Sequence, residues 1–220
     1  MNVWELRVEF GAGGKAAFAM LRTTTKEDNS LFFNRFNGES FLPAEWKPVP
    51  LVRNPVNKKE AISQELGDWA CIDSYGGILN LSQKALDMLF PHIALCGEVL
   101  PVVFDEAPFA IFNVTNVVDA LNESASEIKY FPPDVEDGRV MRIVQFVFKP
   151  EAVNDQWIFK IPQLPGTHNF VTDRFVKVVQ DAGLRGFGFT KVWSDDKDWE
   201  GSGPSFLELI GNRNRQLAAK

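Results

Sequence analysis

The sequence has little of the chemistry that enzymes and metal sites use most, because its 220 residues include only two cysteines, two histidines and two tyrosines. Cys71 and Cys96 are too few to form a disulfide framework, which fits a reducing compartment. The four residues Cys71, His92, Cys96 and His168 also lack the paired short spacings of zinc sites. We therefore predict no metal and no cofactor.

Long apolar runs and an excess of positive charge are absent as well. No uninterrupted apolar stretch approaches the roughly 20 residues that span a bilayer, and the first ten residues, MNVWELRVEF, do not resemble a signal peptide. The formal net charge is −6, which disfavours nonspecific binding to nucleic acid or to an anionic membrane. We expect a cytoplasmic protein that binds neither of them.

Phenylalanine is what the sequence has in quantity: 19 Phe, with 6 Trp, in a chain that is 45% hydrophobic and 24% charged. That balance is typical of a globular protein, and Phe-rich strands commonly belong to a packed sheet. A chain of this length can form one domain with a substantial core. We divide this domain into an N-terminal strand and aromatic-rich loop region (1–67), a core (68–193), and an acidic loop with a C-terminal tail (194–220).

Short apolar runs between Gly, Pro and Asn residues predict many strands and few helices. Strict strand–helix–strand alternation is missing, so we predict an α+β fold, a mainly antiparallel twisted sheet with a few packed helices. Pro101 predicts an edge or bulged strand, and the run VMRIVQFVFK, apolar on both faces, predicts a central strand. The predicted strands are Val3–Phe10, Asp68–Asp73, Gly97–Phe104, Phe109–Val114, Val140–Lys149, Trp157–Ile161 and Gly186–Trp193.

Two predicted helices have clear end signals. Ser82 is a good N-cap for the first, and Pro91 ends or kinks it. Thr172 caps the second, whose apolar residues recur at helical spacing until Gly183 stops it. Shorter helices are predicted at Lys58–Leu66, Asn116–Leu121 and Phe206–Ile210, and residues 22–57 are predicted as loop with short strands, packed on the core through aromatic side chains.

A family resemblance rests on four stretches taken together: LSQKALDML at 81–89, GEVLPVVF at 97–104, FNVTNVVDALNES at 112–124 and FVTDRFVKVVQDAGLRGFGFTKVW at 170–193. In order and spacing they make the run from about residue 68 to Trp193 similar to immunity protein family eleven of bacterial polymorphic toxin systems, first catalogued as a domain of unknown function. Asn122 follows the VDAL motif where the family usually has Asp, so a contact made by that carboxylate would be missing here.

The resemblance implies a protein that is not an enzyme and that binds a cognate secreted toxin effector. Neutralising this toxin protects the producing cell and its kin in competition between bacteria. Immunity proteins often bind close to the toxin's active site, so occlusion of that site is the implied mechanism. Surfaces outside the shared core tend to set the pairing, which points to residues 1–67 and to the segment after Trp193.

Two other functions remain open from the residues themselves. A small Cys/His-dependent hydrolase or transferase needs a thiol activated by a nearby base, yet neither cysteine lies in a nucleophile motif, and both have apolar surroundings typical of buried, inert Cys. An effector-binding adaptor or chaperone would bind its effector without abolishing the effector's activity. The GAGGK run at 11–15 has the wrong spacing for a phosphate-binding P-loop and predicts a hairpin turn.

Carboxylates cluster in loops rich in Pro and Gly, where a solvated surface is the ordinary interpretation. One cluster also contains an aromatic side chain, Trp199. Charge steers the encounter with a basic partner, while a Trp side chain supplies buried area. We therefore hypothesise that the toxin-binding residues are Asp195, Asp196, Asp198, Trp199 and Glu200, with Asp105 and Glu106 as a second acidic pair.

Overall fold

The computed structural model describes residues 1–9, 17–41, 45–54, 65–72, 77–136, 138–199 and 201. Within these ranges the chain forms eleven strands and five α-helices, so the predicted α+β class is confirmed. The strands are β1 (Asn2–Val8), β2 (Leu21–Thr23), β3 (Val49–Arg53), β4 (Leu79–Ser82), β5 (Gly97–Val103), β6 (Phe109–Val114), β7 (Glu127–Tyr130), β8 (Val140–Gln145), β9 (Ile158–Phe159), β10 (Asn169–Thr172) and β11 (Phe187–Ser194). The helices are α1 (Lys26–Arg35), α2 (Gln83–Ile93), α3 (Pro133–Glu136), α4 (Pro150–Val153) and α5 (Asp173–Asp181).

The strands are arranged in three sheets. One has four antiparallel strands in the order β11-β1-β10-β9. Another has five strands in the order β2-β3-β5-β6-β4, and there only β3 and β5 run parallel. β7 and β8 form a two-stranded ribbon. The mainly antiparallel arrangement predicted from the sequence is therefore confirmed.

The core consists of three apolar clusters. Both α2 and α5 bury one face in the first cluster, which also receives side chains from the two larger sheets. Adjacent residues of β10, Phe170 and Val171, belong to different clusters, so the four-stranded sheet is covered on both faces. The third cluster packs α1, β2 and β3 against β5 and β6. Each fully buried Leu, Ile or Phe side chain contributes about 2 kcal/mol to stability.

The end signals of α5 are confirmed at its C-terminus and differ at its N-terminus. Gly183 has a φ of +57°, and the backbone N–H of Leu184 donates to the Val179 carbonyl at 3.0 Å, as in a Schellman ending. Thr172 precedes the helix in an extended conformation, but its hydroxyl donates to the Gln156 carbonyl at 2.7 Å and makes no capping hydrogen bond.

The N-cap of α2 is confirmed, because the Ser82 hydroxyl oxygen accepts a hydrogen bond from the Ala85 N–H at 3.1 Å. Pro91 lies inside this helix, which continues to Ile93. Proline supplies no N–H and therefore removes one backbone hydrogen bond. In the last turn of a helix the loss of one hydrogen bond costs little stability. The helix α2 therefore continues for two residues beyond Pro91.

A helix lies where the sequence predicted loop, since α1 occupies part of residues 22–57. The Thr25 side chain caps it by accepting from the Asp28 N–H at 3.0 Å. Phe32 and Phe36 are buried in the third cluster. The predicted packing of aromatic side chains on the core is thus correct, whereas the assignment of the whole segment to loop and short strands is wrong.

The prediction of an edge strand at Pro101 is wrong, because β5 lies between β3 and β6. The Pro101 carbonyl accepts a hydrogen bond from Trp46 Nε1 at 2.8 Å, so it points away from β6. A residue's N–H and C=O point to the same side of a strand, and the missing N–H of Pro101 therefore leaves the β5–β6 ladder intact. Pairing with β3 is confined to Val102 and Val103.

The predicted central strand Val140–Lys149 is also wrong, because β8 ends at Gln145 and pairs with β7 in the ribbon. The chain then leaves the strand and buries Phe146 and Phe148 in the second cluster. The apolar character on both faces therefore reflects two successive structures rather than one buried strand.

Two short predicted elements also fail. Asn116–Leu121 is not helical, since isolated bridges from Val117 to Lys160 and from Leu121 to Phe148 hold it extended. Residues 68–72 form bridges only at Trp69 and Ile72. The predicted turn at GAGGK, most of the helix Lys58–Leu66 and the helical turn Phe206–Ile210 lie outside the described residues.

The N-terminal region is bonded to the five-stranded sheet. The Glu98 carboxylate of β5 accepts hydrogen bonds from the Phe41 N–H at 2.7 Å, the Ser40 hydroxyl at 2.8 Å and Asn113 Nδ2 at 2.9 Å. These bonds fix the segment before residue 42 to β5 and β6. In the part of the chain that the structure describes, we find no helix with the length and apolar character needed to cross a membrane.

Candidate partner-binding surface

The acidic loop Asp195–Trp199 leaves the end of β11 as a compact turn. The Asp196 N–H donates to the Ser194 hydroxyl, and the Asp198 N–H donates to Asp196 Oδ1, both at 3.1 Å. The Trp199 N–H donates to the Asp196 carbonyl, also at 3.1 Å. Asp side chains favour such turns because their oxygens accept from the N–H two residues on. The turn exposes the three Asp side chains and leaves Trp199 half-buried.

Lys191 connects this loop to the sheet. Its Nζ lies 5.1 Å from the centre of the Trp4 ring and 5.2 Å from the centre of the Trp199 ring. Both distances are within the range of cation–π attraction. Lys191 and Trp4 are cross-strand partners on β11 and β1. A groove of about 450 Å³ lies here, lined by Met1, Asn2, Lys191, Ser194 and residues of the acidic loop.

Trp4 is held in place by Asp173, the first residue of α5. The Asp173 carboxylate accepts from Trp4 Nε1 at 2.8 Å and from the Asn2 N–H at 2.9 Å. Partial burial alone would raise the pKa of Asp173, but the hydrogen bonds from Trp4 and Asn2 outweigh it and hold that pKa below the ordinary 3.8. The carboxylate is therefore ionised at neutral pH and keeps the Trp4 ring oriented.

The loop carries less net charge than its sequence indicates. The α-amino group of Met1 lies 2.5 Å from Asp195 Oδ1, and Lys191 borders the same groove. Lys197 is exposed on the loop itself. Asp196 and Asp198 form no ion pair with the residues the structure describes, so these two are the carboxylates available to a basic partner.

The second acidic pair lies elsewhere. Asp105 and Glu106 are exposed in the turn between β5 and β6, where Glu106 accepts from Arg53 Nε at 2.6 Å. This turn is next to the start of α2, since the Gln83 N–H donates to the Pro108 carbonyl at 3.2 Å.

The start of α2 is in turn close to the end of α5, because Lys84 Nζ donates to the Gly183 carbonyl at 3.3 Å. The acidic loop is near the start of α5, a helix of nine residues and about 13 Å long. The structure therefore places the two acidic groups at opposite ends of α5 and does not bring them together. Glu200 lies outside the described residues.

Neither cysteine has the surroundings of a nucleophile. Cys71 and Cys96 are buried free thiols, and burial raises the pKa of Cys96, although a backbone hydrogen bond from Ile158 opposes this. His92 is exposed and stacks on Trp157 with a centroid distance of 4.5 Å. Among the described residues, no group of three or more His, Cys, Asp and Glu side chains is arranged to hold a metal ion.

His168 takes part in a polar cluster on the four-stranded sheet. Its Nδ1 lies 2.6 Å from Glu5 Oε1, and Arg7 Nη2 lies 2.5 Å from Glu5 Oε2. Burial would raise the pKa of Glu5, but the hydrogen bonds and charges of His168 and Arg7 lower it below the ordinary 4.5. The carboxylate is thus ionised and bonds β1 to the residue that precedes β10.

A wide cleft of about 740 Å³ opens between the β7–β8 ribbon, the end of α1 and the loop at 162–167. Most of its lining is apolar and includes Phe36, Ile78 and Met141. Around the ribbon tip, Tyr130, Val135 and Met141 are exposed. This surface was not predicted from the sequence, because the run VMRIVQFVFK indicated a central strand and the chain forms a ribbon there instead.

The model of the Immunity protein family (Imm11) matches residues 105–194, from the β5–β6 turn to the end of β11. The resembling stretches at 112–124 and 170–193 lie inside this match, whereas those at 81–89 and 97–104 lie outside it. No curated protein matches the chain. The resemblance found in the motifs is therefore confirmed for less than half of the chain: residues 105–194 are similar to the Immunity protein family (Imm11).

Proposed function

We propose that this protein is a cytoplasmic immunity protein that binds a cognate secreted toxin effector domain and neutralises it, protecting the producing cell and its kin. The observation that carries the proposal is the match of residues 105–194 to an immunity protein family. The mechanism we propose is stoichiometric occlusion of the toxin's active site. Binding requires no cofactor and no reaction on this chain.

The acidic loop with Trp199 is the toxin-binding surface in this proposal, which also includes Glu200 as the next residue in the sequence. Trp199 is half-buried in a hydrogen-bonded turn, and Asp196 and Asp198 are exposed beside it. Trp is among the residues that most often dominate the energy of an interface, and neighbouring charges steer the encounter with the partner. Asp105 and Glu106 are a second contact for a toxin large enough to extend along α5.

The proposed surface combines residues inside and outside the range matched to the family. Lys191 belongs to the matched range 105–194, whereas Trp4 and Trp199 lie outside it. In our division of the domain, Trp4 belongs to region 1–67, Lys191 to core 68–193 and Trp199 to region 194–220. In this proposal, pairing specificity depends on the two positions outside the matched range.

An enzymatic role has less support. A nucleophilic cysteine must form its thiolate, and burial raises the pKa of Cys96. Cys71 is buried as well. A Cys/His-dependent hydrolase or transferase should lose activity when one of these side chains is replaced, whereas an immunity protein should continue to protect.

The test is a protection assay with the toxin domain encoded beside this gene in its source genome. Both proteins are expressed in one cell, growth is followed, and the purified pair is analysed by size-exclusion chromatography. We expect growth to be rescued and a complex to elute. Cys71→Ala and Cys96→Ala serve as variants that leave the acidic loop unchanged, and both should still rescue growth.

Other outcomes would contradict the proposal. Persistent toxicity with no complex excludes immunity for that pair. A complex that leaves the toxin fully active identifies an adaptor or chaperone instead. Rescue that disappears with one cysteine, while the complex still forms, identifies an enzyme.

A further inference from the structure

We propose that Lys191 positions Trp199 for toxin binding, because its ammonium group lies between the rings of Trp199 and Trp4. This inference rests on the proposed function and deepens it by naming a positioning residue that the linear acidic motif does not contain. Lys191 lies on β11, a strand paired along its length with β1. The sheet therefore fixes the position of Lys191, and Lys191 restricts the movement of the Trp199 ring in the loop.

The geometry of the stack supports this role. The Lys191 Nζ is 5.1 Å from the Trp4 ring centre and 5.2 Å from the Trp199 ring centre, so it is almost equally close to both rings. Trp4 is fixed independently, since its Nε1 donates to Asp173 at 2.8 Å. Trp199 is held by one backbone hydrogen bond to Asp196 and by Lys191. The contact with Lys191 acts on the ring itself.

Holding the Trp199 ring before binding increases affinity. A rotamer-rich side chain that becomes ordered at an interface loses conformational freedom on association, and preorganisation removes that cost. Trp is also among the residues that most often dominate interface energetics. Lys191 therefore contributes to toxin affinity without needing to contact the toxin.

The stack also indicates the chemistry of the toxin at this point. Lys191 covers one face of the Trp199 ring, and the ring is only half-buried, so an apolar or aromatic side chain of the toxin can pack on its exposed part. Asp196 and Asp198 border the same groove of about 450 Å³, where they can pair with basic side chains next to that contact. The partner surface is thus an apolar side chain surrounded by Lys or Arg.

The experiment compares three variants of the full chain in binding the neighbouring toxin domain, with association and dissociation rates measured separately. Lys191→Met removes the cation and keeps a side chain of similar length. Lys191→Arg keeps a cation that stacks on aromatic rings. Lys47→Met is the matched control, because it removes the same charge from an exposed position before β3, outside the acidic loop.

We expect Lys191→Met to raise the dissociation rate about three- to tenfold, which is the size of one or two cation–π contacts. Lys191→Arg should bind like the wild type. Lys47→Met should leave the dissociation rate unchanged. Equal effects of Lys191→Met and Lys47→Met would attribute the result to charge alone and overturn the inference, as would failure of Lys191→Arg to restore binding.

A readout on the free protein separates this inference from the proposed function. Ring currents of Trp4 and Trp199 should shift the Lys191 ε-methylene protons upfield in the NMR spectrum, and Trp199→Ala should remove part of that shift. If the shift is present and the wild type does not bind the toxin, the proposed function fails, whereas the contact of Lys191 with the Trp199 ring is supported. If toxin binds but the shift is absent, the positioning role of Lys191 fails.

Discussion

The ammonium group of Lys160 is buried beneath the loop at 162–167 and donates a 2.7 Å hydrogen bond to the Pro165 carbonyl oxygen. Burial lowers the pKa of Lys160 from the ordinary 10.5 to about 8. A buried charge that lowers stability is tolerated here because it fixes a loop that forms one wall of the wide cleft.

The pKa of Lys160 makes stability depend on pH in a defined direction. Below pH 8 the amine is charged in both the folded and the unfolded chain. Burying this charge then destabilises the folded state by its full amount, about 3 kcal/mol. Between about pH 8 and 10.5 the unfolded chain binds the proton more tightly, and the folded state gains stability as pH rises. Between pH 7 and pH 10, wild-type stability should increase by about 2 kcal/mol relative to Lys160→Met.

Urea unfolding of both proteins at the two pH values measures this change. Comparing the variant with the wild type cancels the contribution of every other titrating group. Lys177→Met, which removes an exposed lysine of α5, is the control for loss of one charge. Parallel pH profiles for wild type and Lys160→Met would contradict the expectation.

Gly186 and Gly183 provide a matched pair of substitutions. Both have positive φ, +93° and +57°. A Cβ on Gly186 would lie 2.5 Å from the Trp69 carbonyl oxygen, whereas a Cβ on Gly183 would meet nothing within 4 Å. Gly183→Ala should therefore lower the free energy of unfolding by about 1 kcal/mol through backbone strain alone. Gly186→Ala should cost about 3 kcal/mol or more, because the buried Trp69 backbone must move.

Equilibrium unfolding in urea, followed by circular dichroism, gives both values. If the two substitutions cost the same, contact with Trp69 is not what requires glycine at 186. A larger loss for Gly183→Ala would show that the Schellman ending of α5 is the more sensitive of the two sites.

The parts of this fold that were predictable from sequence depend on residues close together in the chain. The C-terminus of α5 is one example, because Gly183 and Leu184 directly follow the apolar pattern that they end. Ser82 at the start of α2 is another. α1 was missed although Thr25 is a suitable cap, because its stability depends on burial of Phe32 under β2 and β3 rather than on a periodic apolar face.

The candidate site was only partly predictable for the same reason. The carboxylates and Trp199 are adjacent in sequence, so the motif could be recognised. Lys191 reaches Trp4 only because β1 pairs with β11, strands that lie at opposite ends of the described chain. The separation of Asp105 and Glu106 from the loop depends likewise on how α2 packs against α5.

Replacement of Asp173 tests how firmly the base of the groove is held. The pKa of Asp173 is lowered in the folded state, so its hydrogen bonds stabilise the fold above the unfolded pKa and are lost as pH falls through the folded value. Its carboxylate also lies in the first turn of α5, where the helix dipole favours negative charge. Asp173→Asn should cost about 1 kcal/mol at pH 7, and the difference should shrink as pH falls below the ordinary 3.8.

Thermal unfolding between pH 2.5 and pH 7 measures the Asp173 effect. Asp181→Asn is the matched control, because Asp181 is the last residue of the same helix and pairs with the exposed Lys177 at 2.8 Å. We expect that control to change stability little, since exposed pairs contribute at most about 1 kcal/mol. A loss at Asp181 equal to that at Asp173 would indicate a general effect of charge on α5 instead of a specific bond to Trp4.

The last prediction separates the roles of charge and aromatic area in toxin binding. The double variant Asp196→Asn and Asp198→Asn removes two carboxylates, and neither of them forms an ion pair with the residues that the structure describes. This double variant should slow association about tenfold at low salt, and the difference should shrink near 1 M salt because screening suppresses steering. Trp199→Ala should instead raise the dissociation rate, by about 30-fold, as expected for a central interface aromatic.

Asp105→Asn with Glu106→Gln tests the proposed second contact, because it removes the same number of carboxylates at the opposite end of α5. If this variant slows association as much as the loop variant does, the toxin contacts both ends of α5. If neither double variant affects association and Trp199→Ala leaves dissociation unchanged, the toxin binds elsewhere on the protein. The exposed ribbon tip around Tyr130 and Met141 would then be the next surface to replace, because it carries exposed apolar side chains beside the wide cleft.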